Sequence, residues 1–186
     1  TPLRDMVRAA LANAGAVRID HILGMFRLWW IPEGRAATEG TYVYYDHEAM
    51  MGVILLEAQR AGAVVIGEDL GVVEPWVRDY LRDRGVLGTS VVWFEKEGGG
   101  WPLRPEHYRD RALAAVNIHD LPPTLGYIRG IQTTLRNELG LLTDDIETVR
   151  AGDRQELERV AARLHEYGCL DGAEPSEREM VEGLYR

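Results

Sequence analysis

An α/β fold built on a parallel sheet is what this sequence predicts, and two observations carry the expectation. Four short runs rich in β-formers recur along the chain, 16–20, 63–68, 89–94 and 113–118, each followed by a candidate helix. The runs are nearly continuously apolar and lack the alternation of a sheet wetted on one face, so they read as parallel strands covered on both sides.

Between the first two runs, residues 45–62 place Met50, Val53, Ile54 and Ala58, with Glu57, at the spacing of an amphipathic helix, and Gly62 supplies its stop. After the second run Pro75 opens another helix, whose exposed face carries Arg78, Asp79, Arg82 and Asp83 and which Gly85 ends. Residues 97–100 form a flexible break ahead of the fourth run. Beyond it the character becomes helical. Leu157, Val160, Ala161 and Leu164 share a face, Gly168 stops that helix, 170–176 reads as a loop, and Ser176 with Glu179 makes a capping-box pattern for one more helix.

A complete (β/α)8 barrel takes about 250 residues and eight strands, whereas this chain has 186 residues and four strand-like runs. The simplest account is a partial barrel, with residues 1–124 forming part of it and 125–186 a helical segment without a further strand. A small doubly wound domain, complete in itself, is the competing architecture. Acidic residues outnumber basic ones by 30 to 21, giving a formal charge of -9, which disfavours nucleic acid as a partner. The apolar stretches 53–56 and 63–66 are far too short to span a membrane and no segment resembles a signal peptide, so the expected setting is cytoplasmic. The single cysteine, Cys169, reads as a half-buried residue at a helix end, with no disulfide, thiolate metal site or redox chemistry implied.

Parallel α/β architectures hold their working residues at the carboxyl ends of strands, and three of the runs end in acid: Arg18-Ile19-Asp20-His21, Gly67-Glu68-Asp69-Leu70-Gly71 and His119-Asp120. Arg18 and Asp20, two apart on a strand, point the same way, so the guanidinium favours the ionised carboxylate that a nucleophile needs; a structural salt bridge would look the same. No basic residue lies between 61 and 76, and Gly67 leaves room beside Glu68, as suits a carboxyl that donates a proton to a leaving oxygen. A carboxylate at a helix N-terminus is the plainer alternative for Glu68. Asp69, of opposite parity, suits a bond to the following turn. Pro122 and Pro123 end the fourth run, so His119 and Asp120 can reach one pocket and offer a donor and acceptor set for vicinal sugar hydroxyls. Trp29, Trp30, Tyr42, Tyr44 and Tyr45 supply either sugar-stacking platforms or core packing.

Taken in order, Arg18-Ile19-Asp20-His21, Trp29-Trp30-Ile31-Pro32, Gly67-Glu68-Asp69-Leu70-Gly71 and His119-Asp120 resemble the motifs of the 4-α-glucanotransferases, the amylomaltases or disproportionating enzymes of glycoside hydrolase family 77 within the α-amylase superfamily. Each motif alone is weak, but the ordered set, spanning 16–124, is specific. The resemblance implies that Asp20 is the nucleophile, Glu68 the acid/base and Asp120 the transition-state-stabilising carboxylate, with Arg18 and His119 holding the nucleophile and contacting sugar. It also implies a C-terminal piece of a longer enzyme, comprising barrel strands four to seven, with a third-strand segment before it and an eighth strand after it. Two departures bear on acceptor specificity. Ile22-Leu23-Gly24 stands where many members have an aromatic, Arg and Gly, and Leu121-Pro122-Pro123-Thr124 where many have a polar run.

The implied chemistry transfers α-1,4-glucan segments between maltooligosaccharides by retaining double displacement, with no cofactor and no metal. A magnesium-dependent lyase or racemase is weakened by Arg18 beside Asp20 and by the presence of one lysine, Lys96. An α-glucan hydrolase or branching enzyme of the same superfamily, and a non-catalytic carbohydrate-binding or structural fragment, complete the alternatives. Half a barrel leaves strand edges open, which invites self-association, and the chain alone is expected to be inactive.

Overall fold

The computed structural model describes residues 1–172 and 174–186, so Ala173 of the expected loop 170–176 lies outside the described residues. The chain divides into two compact units, Thr1–Thr89 with Asp110–Leu113, and Ser90–Arg109 with Ala114–Arg186.

In the first unit, helix α1 (Pro2–Leu11) opens on a proline, whose missing N–H a first turn does not need, and buries Val7 and Leu11 on one face. Strand β1 (Ala16–Ile19) is followed by a short 3-10 turn, Ile22–Met25, and by an antiparallel hairpin of β2 (Arg27–Trp30) and β3 (Thr41–Tyr44). Helix α2 (His47–Ala61) starts where Asp46 accepts the Ala49 N–H at 3.0 Å and stops at Gly62, whose φ of 63° suits a residue without a Cβ. Strand β4 (Val64–Gly67) lies parallel to β1, in register from Ala16↔Val64 to Ile19↔Gly67. Helix α3 (Pro75–Asp83) follows, and Leu87 then bridges Ile66 in the parallel sense as the chain enters β5 (Gly88–Val91).

Ile22, Phe26, Met51, Ile54, Ala58, Val65, Val77 and Leu81 form the core beneath β1 and β4. Burial of each large aliphatic side chain contributes roughly 1.5–3 kcal/mol. One charge enters this packing: the buried Glu57 carboxylate meets Arg8 of α1 at 2.9 Å and Arg60 at 2.7 Å. The Arg8 hydrogen bond, against the opposing effect of burial, holds that carboxyl below its ordinary range.

The second unit contains a tight hairpin, β6 (Lys96–Glu97) and β7 (Trp101–Pro102), turning through Gly99 and Gly100 at positive φ. Strand β8 (Ala112–Ala115) pairs with β5. Helices α4 (Thr124–Ile128), α5 (Ile131–Glu138), α6 (Ile146–Glu166) and α7 (Glu177–Leu184) complete the chain. Arg163 of α6 is buried and donates to the Pro102 carbonyl at 3.2 Å and to Glu97 at 2.6 Å, which pins the helix to the β6–β7 hairpin. Trp93 stacks on Tyr127 at 4.1 Å between ring centroids. At α7 the Ser176–Glu179 capping box forms as its spacing predicts.

All four strand-like runs become strands, and the helices expected between and after them form. Two-sided coverage holds for β5, where Thr89, Ser90 and Val91 are buried, but not for the outer strands. Among the described residues β1 pairs with β4 alone and β8 with β5 alone; β1 has no fully buried residue and Leu113 is 39% exposed. Both antiparallel hairpins lie outside the expectation: β6 and β7 are two residues each, and most side chains of β2 and β3 are exposed. No described helix is long and apolar enough to cross a membrane.

Candidate active site

The β1–β4 register places the chain positions of two of the expected carboxylates next to each other. Ile19 and Gly67 are partners, so the next residues, Asp20 and Glu68, stand side by side at the carboxyl ends of neighbouring parallel strands. Arg18 Nη1 contacts Asp20 Oδ1 at 2.8 Å, and the Asp20 side chain is 54% exposed. Arg18 keeps its other terminal nitrogen buried without a hydrogen-bond acceptor.

Glu68 is in a different environment, with 8% of the residue exposed. Its Oε2 accepts the His21 N–H at 3.0 Å and its Oε1 the Leu70 N–H at 2.6 Å, so main-chain donors hold the carboxyl. The basic residues flanking this stretch are engaged elsewhere, Arg60 with Glu57 and Arg78 with Asp69. Helix α3 begins seven residues later at Pro75, which removes the helix-terminus explanation for Glu68. Asp69 accepts the Thr89 N–H at 2.9 Å. It is buried and ties the end of β4 to β5, so the adjacent carboxylates Glu68 and Asp69 have separate tasks.

The space expected beside Gly67 is filled by Ile22. A Cβ on Gly67 would lie 2.6 Å from Ile22 Cδ1 and 2.9 Å from its Cγ2. Gly67→Ala should therefore lower stability by about 1–3 kcal/mol through overpacking. The denaturant midpoint of a full-length protein carrying this segment measures it, and Ile22→Ala in the same chain should recover part of the loss; an unchanged midpoint would mean that Ile22 moves freely.

In the second unit β8 ends at Ala115, earlier than its apolar run suggests, and the chain turns. Asn117 Nδ2 donates to the Pro122 carbonyl at 2.5 Å, closing that turn, and His119 Nε2 lies 3.3 Å from Asp120 Oδ1. Both side chains are largely exposed. In the first unit Trp29 and Trp30, at 45% and 56% exposed, are surface groups of the β2–β3 hairpin and not core. Trp29 packs edge-on to Tyr42, its cross-strand partner, with ring centroids 5.0 Å apart, while Arg27 lies over Tyr42 at 4.1 Å. Trp30 Nε1 donates to the Tyr45 hydroxyl at 2.7 Å.

The family model described as 4-alpha-glucanotransferase, glycoside hydrolase 77, matches residues 1–186. The chain belongs to this family. It is 56% identical to a 4-alpha-glucanotransferase of Mycobacterium tuberculosis over 190 residues, which covers 100% of this chain and 26% of the relative. A Haemophilus influenzae 4-alpha-glucanotransferase is 36% identical over 78% of this chain and 21% of its own length. The crystal structure of amylomaltase from Corynebacterium glutamicum superposes with a TM-score of 0.88 and 43% identity over 98% of this chain and 27% of that one. Amylomaltase from Streptococcus agalactiae in complex with acarbose, at TM-score 0.62 and 18% identity over 98% of this chain and 32% of that one, shares the fold. The chain thus spans about a quarter of the length of the first two relatives.

The ordered motifs pointed to this family correctly. They do not reveal how Glu68 is held, because a main-chain donor leaves no residue-type signal.

Proposed function

We propose that this chain carries the catalytic carboxylates of a retaining 4-α-glucanotransferase that moves α-1,4-glucan segments between maltooligosaccharides in the cytoplasm. In this reading residues 1–124 belong to strands four to seven of a (β/α)8 barrel and 125–186 form the helical segment that follows. The observation that supports it best is the β1–β4 register of a chain in this family, which seats Asp20 and Glu68 at adjacent strand ends. Neighbouring strands lie about 4.8 Å apart, and a retaining pair needs its carboxyl groups at about 5–5.5 Å.

Asp20 attacks the anomeric carbon of the donor while Glu68 passes its proton to the departing glycosidic oxygen, leaving a glucosyl ester on Asp20. An acceptor hydroxyl then gives its proton to Glu68, its oxygen takes the anomeric carbon, and the ester bond breaks. Two inversions at one carbon restore the α-linkage. Arg18 and His119 hold the nucleophile and contact sugar, and Asp120 binds sugar hydroxyls, most engaged at the transition state. Trp29 and Trp30 offer faces for the glucan chain.

Incubation with maltotriose tests the reading. A full-length protein carrying this segment should release glucose and build a ladder of longer maltooligosaccharides, whereas products shorter than the donor alone would make it a hydrolase. The 186-residue chain by itself should show negligible transfer, since misplacing a group by about 1 Å can lower the rate on the order of a hundredfold. Transfer at the full-length rate would assign it a complete site.

A further inference from the structure

His21 belongs to the first motif, yet its side chain has no part in the chemistry above. It is the sole non-glycine residue at positive φ among those described, at φ 45° and ψ 55°, a conformation unfavourable for most residues with a Cβ and worst for β-branched ones. The bonds around it show what this achieves. Glu68 N–H donates to the Ile19 carbonyl at 2.9 Å, the step expected of a parallel ladder. The next regular step would carry the His21 N–H to the Glu68 main-chain oxygen. Instead the Ile22 N–H takes that oxygen at 3.0 Å, one residue later, and the His21 N–H is released to the Glu68 carboxylate at 3.0 Å. The His21 carbonyl accepts the Gly24 N–H at 2.8 Å, which fixes the far side of the kink.

We infer that His21 is a positioning residue acting through its main chain: a one-residue bulge frees its N–H to orient Glu68 and couples that carboxyl to the strand end bearing Asp20. Bulges re-aim groups beside active sites in this manner. The imidazole is exposed, and the bulge asks only for a residue that tolerates the left-handed region. The inference rests on Glu68 being the acid/base of the proposed transferase.

The test places His21→Gly, His21→Asn and His21→Val in a full-length transferase carrying this segment, with maltotriose and α-glucosyl fluoride as donors. Gly and Asn, which enter the left-handed region readily, should stay within about threefold of the parent in kcat. The β-branched Val should lower kcat on maltotriose by about ten- to a hundredfold, with a smaller effect on cleavage of the fluoride, which leaves without a proton. Gly and Asn variants as slow as Val would assign the role to the imidazole and overturn the inference, as would a Val variant equal to the parent or one slowed equally on both donors. A parent that fails to lengthen maltotriose removes the functional reading itself, whatever the order of the variants.

Discussion

Asp20→Asn in a full-length transferase carrying this segment is expected to abolish transfer, with a fall in kcat on the order of 10^4–10^6, as when other covalent nucleophiles are removed. That corresponds to about 5–8 kcal/mol of lost transition-state stabilisation. The substitution isolates chemistry from structure. Asparagine keeps an oxygen for the 2.8 Å bond from Arg18 and removes the charge that attacks the anomeric carbon. The exposed side chain leaves no new cavity. Mass spectrometry of protein quenched during turnover of α-glucosyl fluoride is the deciding measurement: the parent should carry a glucosyl adduct and the variant none. A retained adduct or burst of fluoride release would assign the nucleophile elsewhere.

Glu68→Gln is expected to divide donors by their leaving groups. Loss of a general acid lowers rates by about 10^2–10^4, and maltotriose, with its poor leaving oxygen, should feel that in full. α-Glucosyl fluoride needs no proton to depart, so the first step should persist and the glucosyl ester should accumulate. The main-chain bonds sharpen this expectation. Both Glu68 oxygens face N–H donors, from His21 and Leu70, and the amide nitrogen of glutamine would oppose one of them. Some loss on both donors will therefore come from geometry, and the ratio of the two rates reports the acid. Equal slowing of both donors would remove Glu68 from that role.

The legible parts of this fold are those whose physics is local. Continuous apolar runs identify β1 and β4 because a strand packed in a parallel sheet must be apolar along its length, and Gly62, Gly85 and the Ser176–Glu179 pair mark helix ends because termini have unsatisfied main-chain groups. The β2–β3 hairpin is not legible in that way, since most of its side chains, the aromatic ones among them, lie at the surface. The ordered acidic strand ends identified the family, but the different environments of Glu68 and Asp69 depend on partners about 20–47 residues away in sequence. Composition carries no sign of such pairings. Gly67 illustrates the same limit, because the missing side chain suggested open space and a distant isoleucine fills it.

The hairpin also bears on how this segment can diverge. None of its eight strand residues is buried, and its base is closed by the core residue Phe26, whose carbonyl accepts the Tyr45 N–H at 3.0 Å. Loops at the carboxyl ends of strands tolerate change when the scaffold beneath them is rigid. Residues 33–39, beyond the Trp29-Trp30-Ile31-Pro32 motif, are therefore free to change in length and composition over an unaltered scaffold. Gly40, which follows this stretch, is a fixed point, because a Cβ there would collide with the Trp29 indole. In the proposed transferase, where Trp29 and Trp30 offer faces to the glucan, drift in the hairpin is expected to alter preference for glucan length before it causes misfolding.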